Sequence, residues 1–153
     1  MADILAYGEA LIEFNQADPG STSWNFGFGG DTSNFCIAAA RQGARTGYIS
    51  AVGADRFGQA LRALWQDEGV DHTYVHTDTQ APTGLYFVSH DARGHHFDYL
   101  RAGSAASRFQ TAQLVKNDYK AGRMTREAAQ AKLVEIQGLF NEDIAFAEAL
   151  DAK

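Results

Sequence analysis

The sequence predicts an α/β fold for the first two thirds of the chain, followed by a helical tail. Extended apolar segments alternate there with segments whose apolar residues recur at helical spacing, as in strands and helices that pack in layers. Glycines fall where turns and helix ends are expected, and the last 44 residues hold only 2 of the 15. With 153 residues, 45% of them hydrophobic, the chain can bury one ordinary core.

The first predicted elements are a strand pair, a helix and another strand. The segment DILAYGEALIEF predicts two strands separated at Gly8, and RTGYISAVG predicts a further buried strand. Between them, NFCIAAARQG predicts a helix with Gly43 just past its end, because glycine readily adopts the left-handed conformation that often follows a helix. This order is the beginning of a βαβ arrangement.

A second helix is predicted by ADRFGQALRALWQDEG. Asp55 is the expected N-cap, since its carboxylate can accept hydrogen bonds from the first backbone N–H groups, and Gly69 is the expected stop. One face of this helix is apolar and should point into the core; it carries Phe57, Leu61, Leu64 and Trp65.

A β-hairpin and a helical tail complete the predicted elements. TGLYFVSH and HHFDYL flank the turn-forming tetrapeptide DARG, which indicates two antiparallel strands. In the tail, Thr125 is the expected N-cap of an amphipathic helix, and residues 141–143 give a second helix-start signal. The apolar stripe of the first tail helix consists of Ala129, Leu133, Ile136 and Phe140.

Composition limits the classes of function. The formal net charge is −6 and no basic cluster is visible, which argues against nucleic acid as a partner. No long apolar run or charged-then-apolar leader is present, so we expect a cytoplasmic protein that does not bind a membrane. The single cysteine, Cys36, cannot form an intrachain disulfide, and its apolar surroundings favour a buried, inert thiol.

The glycine-rich segment GFGGDTSN, just before the first helix, is a candidate binding site. It lacks the Gly-Lys-Ser/Thr of a Walker loop, and its glycine spacing also fails the dinucleotide fingerprint. Gly29 and Gly30 would let the backbone approach a ligand closely, with the polar side chains of Asp31 and Asn34 nearby. These groups suit a polyhydroxylated ligand better than a phosphate. The alternative is a tight turn in which Asp31 or Ser33 only caps the helix.

The segment GFGGDTSNFCIAAARQGARTGYISAVGADRFG resembles the N-terminal signature of the ribokinase-like (PfkB-type) carbohydrate kinases, in which a Gly-Gly turn, a helix-start asparagine, a helix and VGxDxFG follow in this order. The similarity is closest to the 2-keto-3-deoxygluconate kinase (2-dehydro-3-deoxygluconokinase) subgroup through YGEALIEF, TGLYFV and the YLR of residues 99–101. It covers residues 3–109, whereas the tail, residues 110–153, is not recognised. The resemblance implies that residues 1–109 form the N-terminal substrate-binding part of a ribokinase-like αβα fold, with the β-hairpin as a lid.

The resemblance also implies a set of substrate-binding residues. They are Gly29, Gly30 and Asn34 for sugar hydroxyls, and Tyr86, Tyr99 and Arg101 for a sugar acid similar to 2-keto-3-deoxygluconate, bound from the lid. The chemistry agrees, because the guanidinium fork of arginine can meet a carboxylate in two hydrogen bonds. Without the resemblance, the two tyrosines would be ordinary sheet residues and the arginine a solvated charge at a strand end.

In this family the second half of the protein supplies the site for ATP and Mg, and a Gly-Ala-Gly-Asp-like turn whose aspartate is the catalytic base. Residues 110–153 contain no such turn, so we assign no catalytic residue and expect this chain to bind no cofactor. The resemblance therefore implies a truncated or chimeric sugar kinase that is inactive alone. Two alternatives stay open: a non-catalytic module for sugar-acid binding or dimerisation whose tail recruits a partner, and a chain completed by a separate chain.

Half of a ribokinase-like sheet would leave apolar surface uncovered. The apolar stripe of the tail could dock on that surface. The chain could instead form a homodimer through the lid hairpin, as the clasp-like dimers of the family imply.

Overall fold

The structure, a computed structural model, describes residues 2–110, 112–132 and 134. The chain divides into two compact units, residues 1–109 and 110–153. The elements of the first unit are β1 (Ile4–Tyr7), β2 (Leu11–Gln16), β3 (Trp24–Gly29), α1 (Asp31–Arg41), β4 (Thr46–Gly53), α2 (Arg56–Asp67), β5 (Val75–Asp78), β6 (Leu85–Asp91) and β7 (Gly94–Leu100). In the second unit, α3 (Ala112–Lys120) is followed by helical residues 126–132.

The strands of the first unit form two sheets. Three of them make a parallel sheet in the order β1-β4-β5, and the other four make a mixed sheet in the order β3-β2-β6-β7. In the mixed sheet β2 and β6 run parallel, whereas the two outer pairs are antiparallel. The predicted α/β class is confirmed, and the break predicted at Gly8 separates β1 and β2 into different sheets.

The main core joins residues of α1 and α2 with residues of β2, β4 and β5. Leu61 and Trp65 are fully buried, and Phe57 and Leu64 are partly buried against the same core, so the predicted apolar face of α2 is confirmed. The Trp65 indole Nε1 donates a hydrogen bond to Ser33 Oγ at 2.9 Å. This bond satisfies the one polar atom of the indole inside the core.

Two further polar side chains are buried in this core. Cys36 has no exposed surface, as predicted, and burial raises the pKa of its thiol. Desolvation raises the pKa of the Tyr48 hydroxyl to about 12, and that hydroxyl lies 2.9 Å from Thr32 Oγ1. Both groups are therefore protonated at neutral pH.

The two helices of the first unit begin in different ways. At α2 the predicted cap is confirmed, because Asp55 Oδ1 accepts a hydrogen bond from the Gly58 N–H at 2.8 Å. At α1 the N-cap position is Gly30, with a φ of 106°, and no described side chain caps the helix. The alternative in which Asp31 or Ser33 caps α1 is therefore wrong. The Ser33 hydroxyl points into the core instead, where its oxygen accepts the hydrogen bond from the Trp65 indole.

The predicted helix ends and hairpin are confirmed. Gly43 follows α1 and Gly69 follows α2, with φ values of 90° and 70°. β6 and β7 pair in antiparallel register, with Asp91 opposite Gly94 at the turn. β7 therefore forms one edge of the mixed sheet.

The described part of the second unit consists of helical segments joined by residues 121–125. The Ala128 N–H donates a hydrogen bond to Thr125 Oγ1 at 3.2 Å, which confirms Thr125 as the predicted cap, and Ala129 is buried. The rest of the predicted tail lies outside the described residues: Leu133, Ile136, Phe140 and the second helix start at residues 141–143. Over residues 2–110, 112–132 and 134, no helix is both long enough and apolar enough to cross a membrane.

Asp55 also links the start of α2 by hydrogen bonds to the segment that precedes β6. Its Oδ2 accepts a hydrogen bond from the Thr83 N–H and its Oδ1 accepts one from Thr83 Oγ1, both at 2.8 Å. Thr83 Oγ1 in turn accepts a hydrogen bond from the Gly53 N–H at 2.9 Å. Burial alone would raise the pKa of the Asp55 carboxyl, but the hydrogen bonds from Thr83 and Gly58 lower it below its usual value.

We expect Asp55→Asn to lower the free energy of unfolding at pH 7 by about 1.5 kcal/mol, because charge-assisted hydrogen bonds are lost. Since the pKa of Asp55 is lower in the folded than in the unfolded chain, its stabilising contribution is complete above the unfolded value of about 3.9. That contribution is lost as the pH falls through the folded value. The difference between wild type and variant should therefore shrink between pH of about 5 and about 2. Urea denaturation at several pH values, monitored by circular dichroism, measures this difference in the free energy of unfolding.

Asp67→Asn is the matched control, because Asp67 is exposed in the last turn of α2. This change should alter the free energy of unfolding by no more than about 0.5 kcal/mol. Equal losses in the two variants, or a difference that grows as the pH falls, would contradict the role given to Asp55.

Candidate functional site

A recess opens between the β1–β2 turn, the start of α1 and the lid hairpin. Its volume is about 540 Å³, which lies within the range of pockets that hold small organic ligands. We name it the lid recess; its lining includes Glu9, Gly30, Asp31, Tyr86, Tyr99 and Arg101.

The lid recess brings together four of the six residues predicted to bind substrate. They are Gly30, Tyr86, Tyr99 and Arg101. The first comes from the start of α1, and the other three come from the two strands of the hairpin or follow them directly. Residues that are far apart in the sequence therefore meet at one cavity.

The other two predicted residues lie outside this lining. A Cβ on Gly29 would overlap the ring of Tyr86, so this glycine makes room for a lining side chain. Asn34 is exposed and lines a separate recess with Phe28 and Arg41. Its role as a substrate ligand stays a prediction.

Gly30 is needed for its conformation and for its neighbours. Its φ of 106° is one that side-chain-bearing residues rarely adopt. A Cβ there would overlap the carbonyl oxygen of Glu9 and lie 2.9 Å from Ala10 Cα. The start of α1 is therefore packed directly against the backbone of the β1–β2 turn, and its first N–H groups are not capped by any side chain that the structure describes.

Two tyrosines form an aromatic wall of the recess. Tyr86 and Tyr99 stand opposite each other on β6 and β7, and their rings stack with centroids 5.6 Å apart and an interplanar angle of 26°. Phe97 extends the stack at 6.3 Å from Tyr99. Tyr86 is buried, whereas 55% of Tyr99 is exposed, so the outer ring is the one that a ligand can reach.

The hydroxyl of Tyr86 donates a short hydrogen bond to Glu13 Oε2 on β2. Burial, and then this bond to Glu13, raise the pKa of Tyr86 above its usual value. The phenol therefore keeps its proton and directs it at Glu13. Its oxygen can still accept a hydrogen bond from a ligand.

Arg101 is held at the recess by a buried acid. Its Nη2 lies 2.6 Å from Glu9 Oε2, and the Glu9 side chain is only 8% exposed, against 52% for Arg101. The other carboxylate oxygen of Glu9, Oε1, accepts a hydrogen bond from Ser104 Oγ at 2.6 Å. The recess therefore contains one compensated pair of charges, with Asp31 as a further exposed acid.

Glu9 and Glu13 are the site residues that the sequence reasoning missed. Both belong to YGEALIEF, where two acids interrupt an apolar run. Acidic side chains in an otherwise buried strand pair need polar partners. The two acids in this apolar run were therefore the signal from which a polar site could have been predicted. The partners themselves lie more than 70 positions later in the chain.

The arrangement suits an organic ligand that carries hydroxyl groups and a carboxylate. The guanidinium can donate to a carboxylate, the uncapped N–H groups of α1 can donate to oxygen atoms, and the exposed carboxylate of Asp31 can accept from hydroxyls. Within the described ranges, no group of three or more histidine, cysteine, aspartate or glutamate side chains is placed to hold a metal ion.

Known carbohydrate kinases match most of the chain. The model of the pfkB family carbohydrate kinases matches residues 1–148, past Phe109, where the motif resemblance ends. A 2-dehydro-3-deoxygluconokinase of Thermoproteus tenax is 39% identical over 120 residues, and one of Dickeya dadantii (strain 3937) is 34% identical over 111. These alignments cover 71% and 70% of this chain but 35% of each relative. The chain thus spans about a third of the length of these relatives.

A solved structure gives the same result for the fold. The crystal structure of a PfkB protein from Polaromonas sp. JS666 superposes with a TM-score of 0.68 at 27% identity, covering 76% of this chain and 42% of that one. The ribokinase-like fold implied by the motifs is therefore confirmed for the matched part. The family model also covers residues 110–148 of the tail, which the motifs left unrecognised, and the truncated or chimeric origin of the chain stays a prediction. The chain belongs to the pfkB family of carbohydrate kinases.

Proposed function

We propose that this chain is the substrate-binding and lid portion of an ATP-dependent kinase for 2-keto-3-deoxygluconate or a similar sugar acid. The observation that carries the proposal is the lid recess, where a guanidinium, stacked tyrosines and an uncapped helix start face one cavity. The two relatives named as 2-dehydro-3-deoxygluconokinases, each aligned with about 70% of the chain, support this substrate class.

Each group in the recess has a matching part in such a ligand. The fork of Arg101 can hold a carboxylate in two parallel hydrogen bonds, which discriminates an acid from a neutral sugar. The exposed ring of Tyr99 can pack against the C–H groups of a sugar. The start of α1 adds backbone donors and the positive end of the helix dipole, which favour ligand oxygens there. Gly30 is assigned to the sugar hydroxyls, as the family resemblance implies; Gly29 and Asn34, which the resemblance also implies, lie outside the lining of the lid recess, and their role stays a prediction.

We further propose that residues 1–153 alone do not transfer a phosphoryl group. Transfer requires Mg-ATP held in line with the acceptor hydroxyl, together with groups that stabilise charge and a base. The sequence after Phe109 contains no Gly-Ala-Gly-Asp-like turn, which would supply anion-binding amides and the base, so the residues of this chain do not fit Mg-ATP in a position for transfer. The groups that position Mg-ATP and the catalytic base would come from further sequence or from a separate chain. The cytoplasmic location expected from the sequence stays a prediction.

Titration calorimetry with 2-keto-3-deoxygluconate tests the substrate. The wild-type chain should bind it, and Arg101→Ala should weaken binding at least about tenfold, because a charge-assisted contact to the carboxylate is lost. D-fructose, a 2-ketose without a carboxylate, should bind weakly and should not respond to this change. Arg93→Ala is the control, since Arg93 is exposed at the hairpin turn. Equal affinity of wild type and Arg101→Ala for the sugar acid would show that Arg101 does not bind the carboxylate.

The absence of turnover is tested with the same chain. Mg-ATP should give no binding heat, because groups that position the nucleotide are lacking, and a coupled assay with the sugar acid and Mg-ATP should detect no ADP. ADP formation that depends on the sugar acid would overturn the proposed inactivity and support the substrate. Binding of Mg-ATP without turnover would mean that a nucleotide site exists in this chain.

The lid hairpin supports a second proposal, in which two copies of the chain pair through β7. This strand forms an edge of the mixed sheet and exposes three large apolar side chains, those of Phe97, Tyr99 and Leu100. An unpaired strand edge with exposed apolar side chains favours association with another chain. The non-catalytic dimerisation module considered above would use the same surface.

Light scattering after size-exclusion chromatography measures this association. The wild-type chain should reach twice the mass of one chain as its concentration rises, and Leu100→Lys should shift it to the monomer, because a charge is placed on the apolar edge. Leu5→Lys is the control, since Leu5 is similarly exposed but lies on β1, in the other sheet. A monomeric wild type at every concentration would rule out this dimer.

A further inference from the structure

Glu9 is a buried carboxylate in the β1–β2 turn. With only 8% of its side chain exposed, its charge requires compensating partners, because an isolated charge in the interior is strongly unfavourable. The partners are divided between its two oxygens: Oε1 accepts a hydrogen bond from Ser104 Oγ, and Oε2 faces Arg101 Nη2, each at 2.6 Å. The carboxylate therefore bridges the segment after the hairpin and the arginine that follows β7.

Neighbouring glycines leave Glu9 little freedom. A Cβ on Gly84, just before β6, would come to 2.5 Å from Glu9 Oε1, so the absence of a side chain there makes space for the carboxylate. Gly30 packs against the Glu9 carbonyl oxygen. Both the backbone and the carboxylate of Glu9 are thus confined by residues around the lid recess.

Arg101 has much more freedom than its partner. It follows an edge strand, and 52% of its side chain is exposed. A free arginine of this kind samples many rotamers, and ordering it on ligand binding reduces affinity. Pairing with the confined Glu9 restricts those rotamers before a ligand arrives.

We infer that Glu9 is a positioning residue, which holds the Arg101 guanidinium at the lid recess so that a ligand carboxylate meets a preoriented donor. The inference rests on the proposed function. Glu9 also has an opposing effect, since its negative charge repels an anionic ligand. The direction of the affinity change in Glu9→Gln shows which of the two effects is larger.

Glu9→Gln tests the inference, because glutamine keeps the size of the side chain and an oxygen for Ser104 but lacks the charge that pairs with Arg101. Affinity for 2-keto-3-deoxygluconate, measured calorimetrically at about 0.15 M salt, should fall about tenfold, and the weak binding of D-fructose should not change. Asp3→Asn is the matched control: it breaks an acid–arginine pair, with Arg45, that does not line the recess. That variant should bind both sugars as the wild type does.

A double-mutant cycle distinguishes positioning from a merely structural role. If Glu9 acts through Arg101, Glu9→Gln should change sugar-acid affinity by less than about twofold in an Arg101→Ala background. A tenfold loss in both backgrounds would overturn the inference, because Glu9 would then support the recess without Arg101. Tighter binding by Glu9→Gln would also overturn it, since Glu9 would then compete with the ligand for the guanidinium.

The pairing can also be measured without a sugar. In ¹H–¹⁵N spectra, the Arg101 Nε–H signal, assigned as the one missing in Arg101→Ala, should move or broaden in Glu9→Gln and should be unchanged in Asp3→Asn. If the wild type does not bind the sugar acid while this signal depends on Glu9, the proposed substrate fails and the positioning of Arg101 stands. A signal that does not depend on Glu9 overturns the inference whatever the chain binds.

Discussion

Helix α1 begins where the backbone of Gly30 passes against the turn between β1 and β2. The left-handed conformation at Gly30 and the short approach to Glu9 and Ala10 leave no room for a side chain. That turn also carries the chain from the parallel sheet to the mixed sheet. One close backbone contact therefore sets the helix start relative to both sheets. The uncapped N–H groups and the position of Glu9 depend on it.

Polar groups in this unit fall into two sets with different surroundings. In the scaffold, the buried bond of Trp65 with Ser33 and the partly buried bonds of Asp55 with Thr83 each join two elements, and breaking one would leave a polar group without its partner. At the lid recess, the half-exposed Arg101 can stay paired with the buried Glu9 carboxylate and still donate to a ligand or water, because a guanidinium has five N–H donors. A stiff scaffold thus carries a recess in which a paired guanidinium still has donors for a ligand.

Features that depend on residues close in sequence could be predicted. Asp55 and Gly69 bound α2 as expected, because a cap depends on hydrogen bonds within one turn. Features that depend on distant residues could not: Glu9 meets Ser104, 95 positions later, and nothing in YGEALIEF indicates that partner. The direction of Asn34 was equally hidden, because the packing of Ser33 against the core indole sets the rotation of α1 and turns the next residue away by about 100°.

The burial of Cys36 has a practical consequence for following the hairpin. It is the chain's single cysteine, it has no exposed surface, and the raised pKa of its thiol leaves little of the reactive thiolate. The folded protein therefore offers almost no background reaction to maleimide or spin-label reagents. A cysteine introduced at the hairpin turn would carry a single reporter, so that the surroundings of the hairpin could be compared with and without a ligand in the otherwise native sequence.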